Sequence, residues 1–504
     1  MPAAPGITSV AGRTAVGAGW MIAWRMTSRG LGFFSTIILA RLLLPTDFGL
    51  MAMAISVTGA ISYLSAIGVM DALIRRPDTG ETWFNTAFGF QALRALATAA
   101  IIAAGAYPAA AWFAEPRLVL ILYVLAGTAA LGGFENIGIV EYRRNIEFNV
   151  EFRLQMLPRL LQFFGVIGMV LVVRDYRAML FGSVVFSVSR LIMSYWIHPW
   201  RPNLRDSCRL AHWRDLLGFS AWTWAAGLGS LVWERCDPFV LGPALGTDAL
   251  GRYLLAAEIA ILPVTELVAP AMTAFYSGIS AARQQGTDTS AIFPKLALSV
   301  LTVVTPIAIG FSATSGYIVT GLLGSQWQDV RPMIAVFALM GCVAPIAWTC
   351  NTMLVSEGKL RRSFTAITGA AILRVLVMAA VVQTGHVAWA PAAALGVVVV
   401  EAALFLSQLR STVPAPWRRH RGGVARLLLA AGVTAAALWA SDLAWQEVSL
   451  GPVQALLAGG MLGAACITLF ATVQFGLWWL VAQPDGAERY ILSTIQSALA
   501  RGPA

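Results

Sequence analysis

The sequence predicts an all-α protein that crosses a membrane many times. Hydrophobic residues make up 58% of the chain, and the mean hydropathy is +0.72. Charged residues make up 12%, about half the share of a soluble domain. Long apolar runs recur from the first residues to the last, and roughly 20 apolar residues suffice for a helix to span a bilayer. The connections between runs are short and lack strand-like alternation, so we expect no soluble domain.

We predict about 14 transmembrane helices. Their approximate limits are 14–44, 47–70, 83–108, 117–139, 153–173, 178–198, 214–240, 249–276, 293–323, 331–355, 363–385, 389–409, 424–444 and 452–482. Loops after even-numbered spans hold 19 lysines and arginines, against 6 after odd-numbered spans. Because basic residues favour the cytoplasmic side of a membrane, this bias predicts that both termini are cytoplasmic.

The chain also contains an internal repeat. The turn Thr46-Asp47-Phe48-Gly49 is echoed by Thr247-Asp248-Ala249-Leu250-Gly251. A six-span unit has an even count, so two copies insert with the same orientation, which predicts two six-helix lobes related by a pseudo-twofold axis. We place spans 1–6 in residues 1–200, spans 7–12 in 201–412, and two additional helices with a C-terminal tail in 413–504. Chance similarity between apolar runs is the alternative.

Arg25 and Arg29 are the first candidate site residues. They are four residues apart on the first span, so they share a helix face. An arginine at the bilayer centre costs about 2.5–3.5 kcal/mol on the lenient insertion scale. Two on one face therefore suggest that this face lines a wet cavity. The alternative is that one of them, Arg25 above all, extends its head group to the membrane surface.

Other arginines lie inside predicted spans. Arg94, Arg159 and Arg374 join the candidate cationic cavity, because arginine supplies the forked donors that a diphosphate needs. Each could instead form an interhelical ion pair or reach the membrane surface. For Arg190, near a cytoplasmic helix end, this structural interpretation is favoured. We expect Arg235 to pair locally with its neighbours Glu234 and Asp237.

Intramembrane acids are the candidates for ion coupling. Glu258, Glu266 and Glu401 could carry a proton or hold Na⁺, since such groups in spans are costly unless functional or paired. A static pair with Arg374 or Arg235 is the alternative for them. Trp24 is the one tryptophan considered as a platform for a sugar ring, whereas the others fit an interfacial belt.

Several classes of function have no support in the sequence. The five cysteines are scattered without a CxxC pair, so neither disulfides nor a zinc site is expected. There is no HExxH, P-loop, GxGxxG or GxSxG motif, which argues against an enzyme and against a metal or nucleotide cofactor. The net charge of +10 lies in loops between apolar runs and reflects topology, so nucleic acid is not expected as a partner.

The long basic first helix and the turn LARLLLPTDFGLMAMA at residues 39–54 resemble the bacterial polysaccharide flippase family. That family belongs to the multidrug/oligosaccharidyl-lipid/polysaccharide exporter superfamily. The resemblance implies two six-helix lobes around a V-shaped cavity, with spans 13 and 14 added outside. It also implies an inner-membrane protein that moves an undecaprenyl-diphosphate-linked oligosaccharide to the periplasmic leaflet for exopolysaccharide, O-antigen or capsule synthesis. Membrane lipids surround such a protein, and a polysaccharide polymerase complex could be its partner.

Three alternatives remain at this point. A cation-coupled multidrug exporter of the same superfamily would share the fold, but an arginine-lined first lobe argues against cationic drugs. A flippase for a peptidoglycan precursor would differ only in its substrate. A membrane-embedded polysaccharide polymerase or ligase belongs to a different class. Such enzymes usually carry a large outer loop with catalytic residues, and this chain has none.

Overall fold

The computed structural model describes residues 10–65, 73, 80–145, 147–209, 213–284, 289–410, 420–441, 443–445, 448, 450–484 and 486–500. Within these ranges the protein is helical and contains no strand, which confirms the all-α prediction. The chain divides into two compact units, Met1–Gly251 and Arg252–Ala504. The limits of the predicted lobes stay a prediction, because this division reflects compactness and not the repeat.

The described part of the first unit contains nine whole helices and the beginning of a tenth. They are α1 Val10–Leu42, α2 Pro45–Leu64, α3 Glu81–Ala104, α4 Ala106–Trp112, α5 Leu118–Gly133, α6 Val140–Arg144, α7 Phe148–Val173, α8 Arg177–Ile197, α9 Leu204–Arg209 and α10 Trp213–Gln284. Helix α10 covers two predicted spans. It is broken at Gly246, whose φ of +71° is a conformation that glycine adopts without strain.

The second unit begins within α10, and its described residues form nine more helices. They are α11 Thr289–Ala313, α12 Ser315–Ile318, α13 Arg331–Leu339, α14 Ala344–Ser356, α15 Leu360–Gln383, α16 Ala390–Leu409, α17 Arg421–Ala440, α18 Pro452–Leu480 and α19 Ala487–Ala500. A single π-turn, Val319–Leu323, follows α12. The aromatic rings of Phe275, Phe293 and Phe405 lie in one buried cluster of this unit.

Every predicted span overlaps a helix in the structure. Ten helices in the described ranges are by themselves long and apolar enough to cross a membrane. An eleventh candidate is bent by 64° between Leu118–Gly133 and Ile137–Arg144. The protein is thus a polytopic membrane protein, while the count of 14 spans stays a prediction.

Helices α1 and α7 of the first unit pack side by side and run in the same direction. Near the start of both helices, the rings of Trp20 and Phe152 are 5.0 Å apart. Towards their ends, Leu39 of α1 lies in one buried cluster with Val166 and Val170 of α7. This parallel packing sets the face of α1 that carries Arg25 and Arg29 beside α7.

The two repeated turns contact each other within the first unit. A methyl group placed on Gly49 would lie 1.8 Å from the carbonyl oxygen of Thr247, and one on Gly251 would lie 2.0 Å from that of Pro45. Gly49 and Gly251 are 202 residues apart, as are Pro45 and Thr247, so the contact is reciprocal. Reciprocal contacts are what a twofold axis produces. The turns are therefore related by a local pseudo-twofold axis, and only glycine permits their close approach.

Asp47 fixes the first of these turns. Its carboxylate accepts a hydrogen bond from the backbone N–H of Leu44 at 3.1 Å, at the start of its own helix. The same carboxylate accepts one from the N–H of Tyr176 at 3.2 Å, just before α8. Carboxylates stabilise helix N-termini in this position. The turn that contains Asp47 is the most specific motif of the sequence. Through this carboxylate it connects the start of α2 with the start of α8.

Candidate functional site

The candidate anion site of the first unit begins on α1. Arg25 and Arg29 are both exposed side chains on this helix. Their spacing of four residues places them on one helix face, as the sequence predicted. Gly32 lies three residues beyond Arg29, about 4.5 Å further along the helix. This face therefore combines two guanidiniums with a small residue that leaves room beside them.

Arg159 of α7 comes close to the same face. A methyl group on Gly32 would lie 3.3 Å from Nη2 of Arg159, so the guanidinium rests in the space that the glycine leaves. Nη1 of Arg159 donates a hydrogen bond of 2.9 Å to Oε1 of Gln162. The amide orients the guanidinium without neutralising it. The structure thus brings Arg159 beside Gly32 of α1, while its place in a cationic cavity stays a prediction.

Arg94 of α3 goes to a different place, the C-terminal end of α2. Its Nη1 donates to the carbonyl oxygen of Ser65 at 3.3 Å. Its Nε is buried and has no hydrogen-bond partner in the described part of the chain. Its neighbour Gln91 is structural, since the Gln91 amide donates to the carbonyl of Gly133 at 3.3 Å, where α5 ends.

Arg190 is explained by an ion pair. Its Nε lies 2.9 Å from Oε1 of Glu135, and both side chains are largely buried. This agrees with the structural interpretation that the sequence favoured. A paired arginine of this kind holds helices together and offers no free charge to a ligand.

Arg235 lies beside α2. An added methyl group on Gly59 would be 3.1 Å from Nε of Arg235, so the guanidinium lies over this glycine. The side chain of Glu234 lies outside the described residues. Local pairing of Arg235 with Glu234 and Asp237 therefore stays a prediction.

The acids of the second unit differ among themselves. Glu401 of α16 is buried and interacts electrostatically with Arg374 of the adjacent helix α15. Glu266 is half-buried and Glu258 is exposed. Arg374, predicted as part of the cationic cavity, is thus accompanied by a carboxylate, which is the alternative that the sequence left open.

Sequence reasoning missed one buried charged cluster in the second unit. Nε of Arg426 donates to Oε1 of Glu488 at 2.8 Å, and the amide of Gln474 donates to the same oxygen at 2.9 Å. All three side chains are buried. They come from three helices and lie up to 62 residues apart in sequence, so no local pattern could have connected them. The cluster anchors α19 to α17 and α18.

The surroundings of three arginines in the first unit favour an anionic ligand. Arg94, Arg159 and Arg235 carry charges that no carboxylate of the described residues neutralises. Among the described residues there is no group of three histidines, cysteines or acids that could hold a metal ion. Trp24, the candidate sugar platform, is half-buried one residue before Arg25.

Comparison with solved structures defines the class of fold. The lipid II flippase MurJ in an inward closed conformation superposes with a TM-score of 0.68 at 13% identity, covering 90% of this chain and 98% of that one. An inward-facing multidrug resistance MATE family transporter of the MOP superfamily gives a TM-score of 0.58 at 16% identity, covering 77% of this chain and 94% of that one. The chain therefore has the fold of the MOP exporter superfamily.

The profile of the polysaccharide biosynthesis protein family matches residues 38–332, more than half of the chain. The protein belongs to that family. It is 23% identical over 333 residues to the teichuronic acid biosynthesis protein TuaB of Bacillus subtilis, covering 64% of this chain and 68% of that protein. It is 22% identical over 365 residues to the lipopolysaccharide biosynthesis protein WzxC of Escherichia coli, covering 70% and 72%.

A third relative is described as a transport protein. The succinoglycan biosynthesis transport protein ExoT of Rhizobium meliloti is 24% identical over 351 residues, covering 67% of both chains. The structural neighbours are a flippase and a transporter, and the family is one of polysaccharide biosynthesis. Membership of the polysaccharide flippase family, suggested by the first helix and the turn, is confirmed.

Proposed function

We propose that this protein moves an undecaprenyl-diphosphate-linked oligosaccharide across the bacterial inner membrane, from the cytoplasmic to the periplasmic leaflet. The observation that carries the proposal is the set of uncompensated arginines in the first unit. A guanidinium in a membrane protein is costly unless it is paired or serves a ligand. Arg94 and Arg159 each bond to a neutral oxygen, and neither bonds to a carboxylate of the described residues.

The chemistry of a diphosphate fits these groups. A guanidinium is always charged and offers planar, forked donors that match phosphate oxygens. Arg25 and Arg29 present two such forks from one face of α1, and Arg159 lies beside that face at Gly32. These three residues bind the diphosphate in this proposal, while Trp24 packs against a sugar. The protein supplies binding and a path and performs no covalent chemistry.

Ion coupling is the second element of the proposal. Glu401 is buried and lies in the field of Arg374, so its charge state affects the packing of α15 on α16. A proton or Na⁺ that binds Glu401, Glu258 or Glu266 would link an ion gradient to a conformational change.

The proposal also includes the orientation of the chain and a partner. The charge bias of the loops favours cytoplasmic N- and C-termini. A polysaccharide polymerase complex that receives the product is the proposed partner.

A cation-coupled multidrug exporter is the second candidate function. The likeness to a multidrug transporter supports it at the level of the fold. The uncompensated positive charge of the first unit opposes it, because that charge repels a cationic drug. Sensitivity to cationic drugs in a strain that overproduces the protein separates the two candidates.

Complementation tests the proposed function. The gene is expressed in a strain that lacks its own oligosaccharide flippase, and surface glycan is measured relative to the amount of the protein in the membrane. Restored surface glycan, with a fall in the cytoplasmic pool of lipid-linked oligosaccharide, supports the proposal. Resistance to cationic drugs without any change in that pool, in a strain that makes the matching glycan, contradicts it.

A further inference from the structure

Helix α2 carries two arginine contacts at different levels. Arg235 of α10 lies over Gly59, with 3.1 Å between its Nε and a methyl group placed on the glycine. Arg94 of α3 donates to the carbonyl of Ser65 at 3.3 Å. Gly59 and Ser65 are six residues apart, which corresponds to about 9 Å along a helix. Two guanidiniums from different helices therefore approach one helix at two depths.

Each of these two arginines has an Nε–H donor without an acceptor in the described ranges. Nε of Arg94 and Nε of Arg235 are buried, and neither has a hydrogen-bond partner in the described ranges. A buried donor of a charged group without an acceptor is strongly unfavourable. Such groups persist where a ligand or water supplies the acceptor. The side chains are only half-buried as a whole, so an anion can approach them.

The small residues of α2 explain why the guanidiniums fit there. The absence of a side chain at Gly59 leaves the space that Arg235 fills. At the end of α2, Arg94 donates to the backbone carbonyl of Ser65, which is neutral. Nothing on α2 itself neutralises either charge, since its one acid, Asp47, is committed to the backbone N–H groups of Leu44 and Tyr176.

We propose that Arg94 and Arg235 form two successive stations for the diphosphate head group along α2. This inference rests on the proposed function and adds the route to it. With the N-terminus in the cytoplasm, α2 runs from the outer side at Pro45 towards the inner side at Leu64. Arg94 is then the inner station, at Ser65, and Arg235 is the station nearer the bilayer centre, at Gly59. A diphosphate is shorter than the 9 Å or so between the two levels, so it occupies one station at a time.

The stations predict different defects when each is removed. Arg94→Gln removes the first station, so both binding of the head group and transport fall. Arg235→Gln leaves the first station intact, so the head group still binds there. Transport stops because the head group cannot move on from Arg94 to the second station. A lost charge-assisted hydrogen bond is worth about 1.5–3 kcal/mol, which corresponds to roughly tenfold or more. Removing a charge from a span does not impair insertion, so both variants should reach the membrane.

The experiment measures binding and transport on the same purified full-length protein. Undecaprenyl diphosphate is titrated in detergent to obtain Kd, and transfer of lipid-linked oligosaccharide between leaflets is followed in proteoliposomes. We expect Arg94→Gln to raise Kd about tenfold and to slow transfer at least as much. We expect Arg235→Gln to leave Kd within about twofold and to slow transfer about tenfold. Arg153→Gln, an exposed arginine of α7, is the matched control for loss of one positive charge.

A second variant tests the Arg235 station without removing its charge. Gly59→Val fills the space under the guanidinium and should slow transfer as Arg235→Gln does, with the same melting temperature as the parent. Transfer at the parental rate by Arg235→Gln would overturn the two-station path. So would equal losses of affinity in both single variants, with no further loss in the double variant, because that result describes one site. A parent that binds and moves no lipid diphosphate would instead refute the proposed function itself.

Discussion

Two arginines of the second unit have a carboxylate nearby, whereas three arginines of the first unit contact neutral groups. In the second unit, buried Arg426 is neutralised by Glu488 at 2.8 Å, and Arg374 has Glu401 on the adjacent helix. In the first unit, Arg94 and Arg159 bond to neutral oxygens, and Arg235 lies over a glycine. Both units contain helices apolar enough to span a membrane. The difference therefore lies in the role of the arginines, which is structural in one case and ligand binding in the other.

Physical cost separates the two uses of arginine. A buried pair compensates the loss of hydration on both partners, so its main effect is to hold helices together, and its removal exposes the remaining charge. An arginine without a carboxylate keeps its full desolvation cost, which evolution tolerates at functional sites. Pairing thus indicates a structural role for Arg426, as it does for Arg190 with Glu135 in the first unit. Contacts with neutral groups favour an anionic ligand for Arg94, Arg159 and Arg235. The following predictions test this contrast, beginning with the largest effect.

Removing the partner of Arg426 should give the largest loss of stability. Glu488→Gln leaves a buried guanidinium without its countercharge, which costs about 3–5 kcal/mol when one member of a buried pair is lost. The measurement is thermal unfolding of the purified protein in detergent. Arg489→Gln, at the exposed neighbouring position, should leave the melting temperature unchanged. Equal melting temperatures for Glu488→Gln and the parent would show that the cluster does not anchor α19.

Changes at Arg29 should impair function and spare stability. A lysine keeps the charge but loses the planar fork, so Arg29→Lys should reduce glycan export and Arg29→Ala should reduce it more. Each variant should insert at least as well as the parent, because a charge in a span is unfavourable. Surface glycan is measured relative to protein in the membrane. Lower membrane levels in proportion to the lost glycan would make Arg29 a structural residue like Arg426.

Glu401 should show an intermediate effect. Glu401→Gln removes the countercharge of Arg374, and the ion dependence of transport should change if this carboxyl takes part in coupling. Flux is compared across imposed proton and Na⁺ gradients for this variant and for Glu258→Gln and Glu266→Gln. We expect at least one of the three to lose the response to an ion gradient. Full activity and unchanged ion dependence in all three would remove the carboxyls from the mechanism.

The smallest effect should come from Gly32. In Gly32→Ala the new methyl group would lie 3.3 Å from Nη2 of Arg159, so the guanidinium must shift by a few tenths of an ångström. Export should fall by a factor of about two, with no change in melting temperature. Gly30→Ala is the matched control, because a methyl group at Gly30 would meet no atom within 4 Å. Equal export by the two variants would separate Arg159 from the α1 face.

The sequence predicted the parts of this molecule that depend on local patterns. Apolar runs gave helices at all predicted spans, and the spacing of Arg25 and Arg29 gave a shared face. The pairing of arginines was harder to foresee, since Arg426 and Glu488 are 62 residues apart and Arg235 contacts a glycine of a distant helix. The repeated Thr-Asp turns were recognised, but their reciprocal contact through Gly49 and Gly251 requires coordinates.

The central claim is that arginines of the first unit hold a diphosphate, among them Arg25 and Arg29 on one face of α1. The most direct measurement is the shift in melting temperature that undecaprenyl diphosphate causes in the parent and in the Arg25→Ala/Arg29→Ala double variant, because a ligand that binds the native state stabilises it. The account predicts equal melting temperatures without ligand, a clear rise for the parent with ligand, and a smaller rise for the double variant, in which Arg94 is intact. An equal rise in both proteins would contradict the assignment of the diphosphate to the arginine face of α1.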